Sequence, residues 1–256
     1  MLPAATFPDL ATASVFITGG GSGIGAALTE GFLRQGARVA FAQRSDGTDF
    51  AAEMAEVTGN APLFLPCDIT ETEALGRTLA QAAEAHGPIS CLVNNAGNDK
   101  RHDTLDVTEA FWDWAQAINL KAYFFAAQAV LPGMRALGRG AVINLTSTSY
   151  MMGNAGYPAY VAANAGITGL TRALAREFGP DNIRVNALAP GWVLTEKQVA
   201  LWTTPEALDA HMDKMCLKRH LSPLDLVSPC LFLASEASGA MTGQCLVIDG
   251  GVVVTG

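Results

Sequence analysis

A single α/β domain, with one parallel sheet and helices on both of its faces, is the fold this sequence predicts. Apolar runs rich in β-branched residues alternate with segments of helical period from one end of the chain to the other. Most of those runs are continuously apolar instead of alternating, as strands covered on both faces must be. The sequence shows no linker, internal repeat or charge run, so residues 1–256 read as one unit.

The elements follow in order. "SVFIT" from Ser14 is the first strand, and Ile24, Leu28 and Phe32 mark the helix after it. "ARVAFA" from Ala37 and "PLFLPC" from Pro62 are the second and third strands. A helix carrying Leu75, Leu79 and Ala82 leads to the fourth, "ISCLV" from Ile89. "AYFFAAQAVLPGM" is too short to cross a bilayer and contains Pro132, so it reads as a buried helix. The fifth strand is "AVINLT" from Ala141, and a helix with Ile167, Leu170, Leu174 and Phe178 on one stripe follows it. "IRVNALA" from Ile183 and "CLVID" from Cys245 complete seven strands. Repeated strand, helix, strand units imply right-handed crossovers and a doubly wound, Rossmann-type parallel sheet. Between Pro190 and Pro223 the alternation breaks, and "TPEALDAHMDKMCLKRHLSP" reads as short helices. Ligands of such sheets sit beyond the carboxyl ends of the strands, so the segment around 192–222 is expected to form a helical lid.

Composition removes several classes of function. The chain is 50% hydrophobic and 16% charged, which suits a packed globule. Its net charge of −8 argues against a nucleic-acid partner, because phosphate binding relies on clustered lysine and arginine. The N-terminus has no basic region followed by an apolar core, so neither secretion nor a membrane is expected. Five cysteines (67, 91, 216, 230 and 245) form no Cys-x-x-Cys pair, so no metal site is expected and buried thiols in a reducing, cytoplasmic compartment are.

Thr18-Gly-Gly-Gly-Ser-Gly-Ile-Gly25 stands between the first strand and its helix. Glycines at such a turn let the backbone approach a pyrophosphate, and the helix N-terminus offers free N–H groups and a positive dipole end. A dinucleotide is therefore the expected cofactor. At the end of the second strand, where a carboxylate would read an unphosphorylated ribose, stand Gln43 and Arg44. A neutral amide does not repel a 2′-phosphate and a guanidinium can pair with it, which favours NADP. Asp46, two residues on from Arg44, keeps NAD open.

With these residues in view, the chain resembles the short-chain dehydrogenase/reductase family over essentially its whole length. The resemblance rests on the glycine turn, Asp68, "NNAG" at 94–97, Asn119, Ser147, Tyr160 thirteen residues later, "PGWVLT" at 190–195 and "TGQCLVIDGG". It implies a cofactor site formed by Gly19, Ser22, Gly23, Ile24, Gly25, Gln43, Arg44, Asp68, Ile69, Asn95, Ala96, Gly97, Tyr160, Asn164, Pro190, Gly191, Val193 and Thr195. Within it Asp68 would contact the adenine and Thr195 the nicotinamide carboxamide or the phosphates. Asn119, Ser147, Tyr160 and Asn164 would form the catalytic group, with Ser147 bonding the substrate oxygen, Tyr160 as general base in oxidation and Asn119 supporting a proton-relay water. A homotetramer is likewise expected, with "GVVVTG" at the C-terminus buried at a subunit contact.

Asn164 departs from the family, which places lysine four residues after the tyrosine. An asparagine can bond to a ribose hydroxyl but supplies no cation, so the tyrosine pKa is expected near its ordinary value of about 10. Lys121 is a conceivable substitute. Around the expected pocket, Asn98, Arg101, His102, Ser149, Asn154 and Trp192 suit a sugar, which needs directional hydrogen bonds and an aromatic wall. Together with "EAFWDWAQAINL" and "ALAREFGPDNIRVNALAPGWV", this polar cluster is similar to bacterial sugar dehydrogenases that oxidise an aldose at its anomeric carbon to a lactone. A carbonyl reductase acting on a sugar acid or ketoacyl group, and a cofactor-binding protein with weakened turnover, stand as alternatives.

Overall fold

The computed structural model describes residues 5–254. Its strands are β1 (Ser14–Thr18), β2 (Arg38–Gln43), β3 (Leu63–Pro66), β4 (Cys91–Asn94), β5 (Gly140–Leu145), β6 (Ile183–Pro190) and β7 (Cys245–Ile248). They form one sheet in the order β3-β2-β1-β4-β5-β6-β7, with every neighbouring pair parallel. The α-helices are α1 (Gly23–Arg34), α2 (Thr48–Thr58), α3 (Thr72–His86), α4 (Glu109–Gln116), α5 (Ala122–Leu137), α6 (Ser149–Met152), α7 (Pro158–Phe178), α8 (Glu196–Trp202), α9 (Pro205–Lys214) and α10 (Val227–Ala234). A π-turn, Ala117–Lys121, joins α4 to α5.

The continuous apolar runs are explained by cover on both faces. Along β1 all five residues are buried, and successive side chains enter different cores. Val15 and Ile17 join a cluster with Leu28, Phe32, Phe41 and Leu231. Phe16 faces the other way, into a cluster with Leu75, Leu79, Leu92, Leu131 and Val142. A strand with a period of two thus shows no alternation in its sequence, because both of its faces are apolar.

Pro158 opens α7, where its missing N–H costs nothing. Ile167 and Leu174 are buried on the predicted stripe, while Leu170 and Phe178 are partly buried against the second cluster. Between Pro190 and Pro223 the structure holds α8 and α9, whose first turns are capped by the Thr195 and Thr204 hydroxyls accepting from the N–H groups of Gln198 and Ala207. Neither helix buries a residue. No helix among the described residues is long and apolar enough to cross a membrane. Val254 is exposed, and Thr255 and Gly256 of the C-terminal segment lie outside the described residues.

Candidate active site

The order of strands reverses between β1 and β4, and there the connections diverge to opposite ends of the sheet, leaving a crevice at the carboxyl ends of the strands. A cavity of about 1020 Å³ opens at that point. It brings together every expected site residue except His102. The His102 ring instead packs on Phe111, its Nδ1 lies 3.0 Å from the Lys100 carbonyl oxygen and its Nε2 accepts from the Ala159 N–H. Those contacts tie the loop after β4 to α7 and direct the imidazole away from the cavity.

The glycine turn and "NNAG" build one half of the cavity by backbone chemistry. Gly23 has φ +52°, and a Cβ at Gly25 would collide with the Gly19 carbonyl, so the first turn of α1 sits directly against the end of β1. Ser22 makes no side-chain cap, which leaves the first N–H groups of this 12-residue helix facing the cavity. This cradle fits a pyrophosphate. Asn95 holds it: its amide donates to the carbonyls of Thr18 and Gly19 at 2.9 and 3.1 Å, while Thr18 Oγ1 accepts from the N–H groups of Asn95 and Ala96. Beneath it, buried Asn94 donates to Asn144 at 2.9 Å and Asn144 to Thr171 at 3.0 Å, linking β4, β5 and α7.

At the end of β2, Gln43 accepts from the Gly21 N–H at 3.0 Å. Arg44 is two-thirds exposed and lies 3.7 Å from Asp68. The Asp46 carboxylate accepts from the N–H and hydroxyl of Thr48 at 2.9 and 2.6 Å, beside the start of α2 and off the cavity lining.

Tyr160 and Asn164 lie one turn apart on the face of α7 that lines the cavity, with Ser147 beyond the end of β5. The phenol pKa of Tyr160 is pushed up to about 12, first by burial and next by the Asp99 carboxylate. Tyr157 adds to the rise, and the Ser147 hydroxyl and Asn164 amide oppose it. The ordinary value expected from the sequence is thus exceeded, because burial penalises the phenolate and no cation offsets it. Asn164 donates 2.8 Å to the Tyr160 carbonyl within α7 and retains a second N–H and its oxygen. Lys121 does not replace the missing lysine: it is exposed, lies off the cavity lining and has its ammonium 5.9 Å from the Phe125 ring.

Asn119 is buried in the π-turn, and its amide is committed to the backbone. It accepts from the Asn98 N–H at 2.7 Å and donates to the Asn98 and Ala115 carbonyls at 3.1 and 2.9 Å. Its side chain therefore anchors the loop after β4 to α4. The other half of the cavity is made of side chains. Arg101 stacks 3.6 Å from the Tyr157 ring centroid, Tyr157 stacks on Tyr160 at 5.4 Å, and Asn154 donates to the Tyr157 hydroxyl at 3.1 Å. Ser149 is buried with its hydroxyl unpartnered among the described residues. Trp192 donates to Gln198 at 3.0 Å and meets His211 edge-on.

Sequence reasoning missed Tyr157, Asp99, Lys197, Gln198 and Trp202, all of which line the cavity. Tyr157 carries a local signal, since it sits three residues ahead of Tyr160. The others carry none, because the contacts between Asp99 and Lys197 or Gln198, and between Arg101 and Trp202, join residues remote in the chain.

A family model described as Enoyl-(Acyl carrier protein) reductase matches residues 19–253. The chain is 47% identical over 253 residues to a protein of Rhizobium meliloti (strain 1021) named "Probable galactose dehydrogenase GalD", covering 98% of this chain and 99% of the relative. It is 45% identical over 252 residues to the D-xylose 1-dehydrogenase of Caulobacter vibrioides (strain NA1000 / CB15N), covering 98% and 99% of the two chains. A solved structure from Agrobacterium tumefaciens, proposed to be a gluconate dehydrogenase, superposes with a TM-score of 0.92 at 29% identity, over 98% of this chain and all of that one. The glycine cradle, the Ser147 and Tyr160 pair and these relationships lead to one conclusion: the chain belongs to the short-chain dehydrogenase/reductase family, and it is an oxidoreductase acting on CH–OH groups.

Proposed function

We propose that the chain oxidises an aldose at its anomeric carbon to the lactone, with Tyr160 as general base. The observation that carries this reading is the cavity in which Ser147 and Tyr160 face Asn98, Arg101, Asn154 and Trp192. Relatives named as a galactose dehydrogenase and a D-xylose 1-dehydrogenase, similar over almost the whole chain, support it. The cradle would hold a nicotinamide dinucleotide, which would supply a hydride acceptor for the anomeric carbon. Ser147 donates a hydrogen bond to the reacting oxygen, and ionised Tyr160 takes the proton from that oxygen. Asn164 would hold a ribose hydroxyl of that cofactor through its second N–H or its oxygen. A hemiacetal hydroxyl is more acidic than an ordinary alcohol, so it tolerates a site in which the phenolate is poorly populated. Ser149 and Asn154 offer hydrogen bonds to the sugar and Trp192 an apolar wall.

NADP is the favoured cofactor in this reading. Gln43 is neutral and held to Gly21, Arg44 is exposed beside the expected phosphate position, and Asp46 is committed to Thr48. We further propose a homotetramer working in the cytoplasm. Asn164 itself favours a second reading, a protein that keeps the cofactor while its turnover has weakened. Purified protein with a panel of aldoses, sugar acids and ketoacyl esters, followed by nicotinamide absorbance with NADP and with NAD, decides between them. Lactone formation from an aldose is expected. Turnover of only the ketoacyl or sugar-acid substrates would overturn the reading, and cofactor binding with no turnover would establish the second.

A further inference from the structure

The loop after β4 and the lid helix α8 meet across the mouth of the cavity, and Asp99 of the loop makes the hydrogen bonds between them. Asp99 is largely buried, with a side-chain exposure of 17%. Its Oδ2 accepts from Gln198 Nε2 at 2.7 Å, and its Oδ1 lies 3.3 Å from Lys197 Nζ. Gln198 in turn accepts from Trp192 Nε1 at 3.0 Å. A carboxylate, an amide and an indole thus form a chain from the end of a core strand to the aromatic wall. Each link uses the one group its donor or acceptor type allows, since Trp192 can only donate and ionised Asp99 can only accept. Gln198 does both and fixes the order.

The rest of the lid has little to hold it. No residue of α8 or α9 is fully buried, Met212 of α9 packs partly buried against the core, and helices that bury so little open at small cost. Near the mouth, Arg101 adds a contact 5.4 Å from the Trp202 ring, and an isolated β-bridge between Val193 and Leu221 secures the stem of the insertion. Hydrogen bonds to a charged group are the stronger class, and Asp99 receives two donors from α8.

We propose that Asp99 is a positioning residue for the substrate: through Gln198 it fixes α8 and the Trp192 indole over the sugar, and so sets the affinity for the sugar more than the rate of the chemical step. The proposal rests on the reading of this cavity as an aldose site, and its test separates the two. Hydrogen exchange of the whole protein is followed by mass spectrometry for the wild type, Asp99→Ala and Asp99→Asn, without substrate. In Asp99→Ala, amides of residues 196–202 should exchange about tenfold faster while those of α3 and α7 keep their rates. Asp99→Asn keeps an acceptor for Gln198 and should restore most of the protection. With the active aldose, Asp99→Ala should raise KM about tenfold and Asp99→Asn should recover most of that loss, while kcat should be alike in the two variants, because both remove the charge that helps to raise the Tyr160 pKa. Unchanged exchange over 196–202, equally faster exchange in α3 and α7, or a loss confined to kcat would overturn the proposal. Should no aldose be turned over, the aldose reading fails, and the exchange measurement still decides the role of Asp99 in holding the lid.

Discussion

The two halves of the cavity are built differently. The cofactor half is backbone at strand ends, clamped by asparagines and a threonine whose partners lie on the strands or in the turns just beyond them. The substrate half is side chain on side chain, with its outer wall against two helices that have no fully buried residue. One is therefore rigid and indifferent to the identity of the substrate. The other is adjustable, which is where relatives of one fold can differ in the molecule they accept.

The largest break in that comparison is at the seam between the halves. Tyr160→Phe removes only a hydroxyl, and kcat with an active aldose should fall about a thousandfold, while the cofactor dissociation constant measured by nicotinamide fluorescence stays within about twofold. Near-wild-type turnover would remove Tyr160 from the role of base.

Next come paired deletions, one in each half. Asn95→Ala leaves the carbonyls of Thr18 and Gly19 without their donor, and should cost about 1–3 kcal/mol in thermal or denaturant unfolding and weaken cofactor binding. Gln198→Ala should change stability by less than about 0.5 kcal/mol and raise KM for the sugar. Equal stability losses in the two variants would erase the distinction between a rigid and an adjustable half.

The missing cation can be supplied. A tyrosine acts as a base only when ionised, and burial pushes the Tyr160 pKa up to about 12. Oxidation should therefore accelerate as pH rises through the alkaline range. Asn164→Lys places an ammonium near the phenol and lowers its pKa, so the pH–rate profile should move to lower pH by about 1–3 units. An unmoved profile would mean that Tyr160 ionisation does not limit the rate. The smallest effect is expected at Arg44→Ala, which should weaken NADP by about fivefold and leave NAD unchanged, as an exposed guanidinium on a phosphate would. Titration with both cofactors reads it directly.

The sequence by itself determined the doubly wound fold, its seven strands and the glycine cradle. Those features are local: a run of apolar residues, a glycine that excludes Cβ and a strand-to-helix turn each act within a few residues. Strand starts inferred at Ala37, Pro62, Ile89 and Ala141 stand within two residues of those observed, because hydrophobic patterning marks an element better than its ends. Only the tertiary structure decided which side chains reach the cavity. His102 has the chemistry of a sugar ligand, yet its ring turned to Phe111, and Lys121 turned to Phe125. Asp99 looked like one charge among several in "NDKRHD", but folding set it against Gln198, 99 residues away. The elevated pKa of Tyr160 likewise arises from burial and from Asp99, a packing effect summed over many distant residues that no spacing of motifs contains.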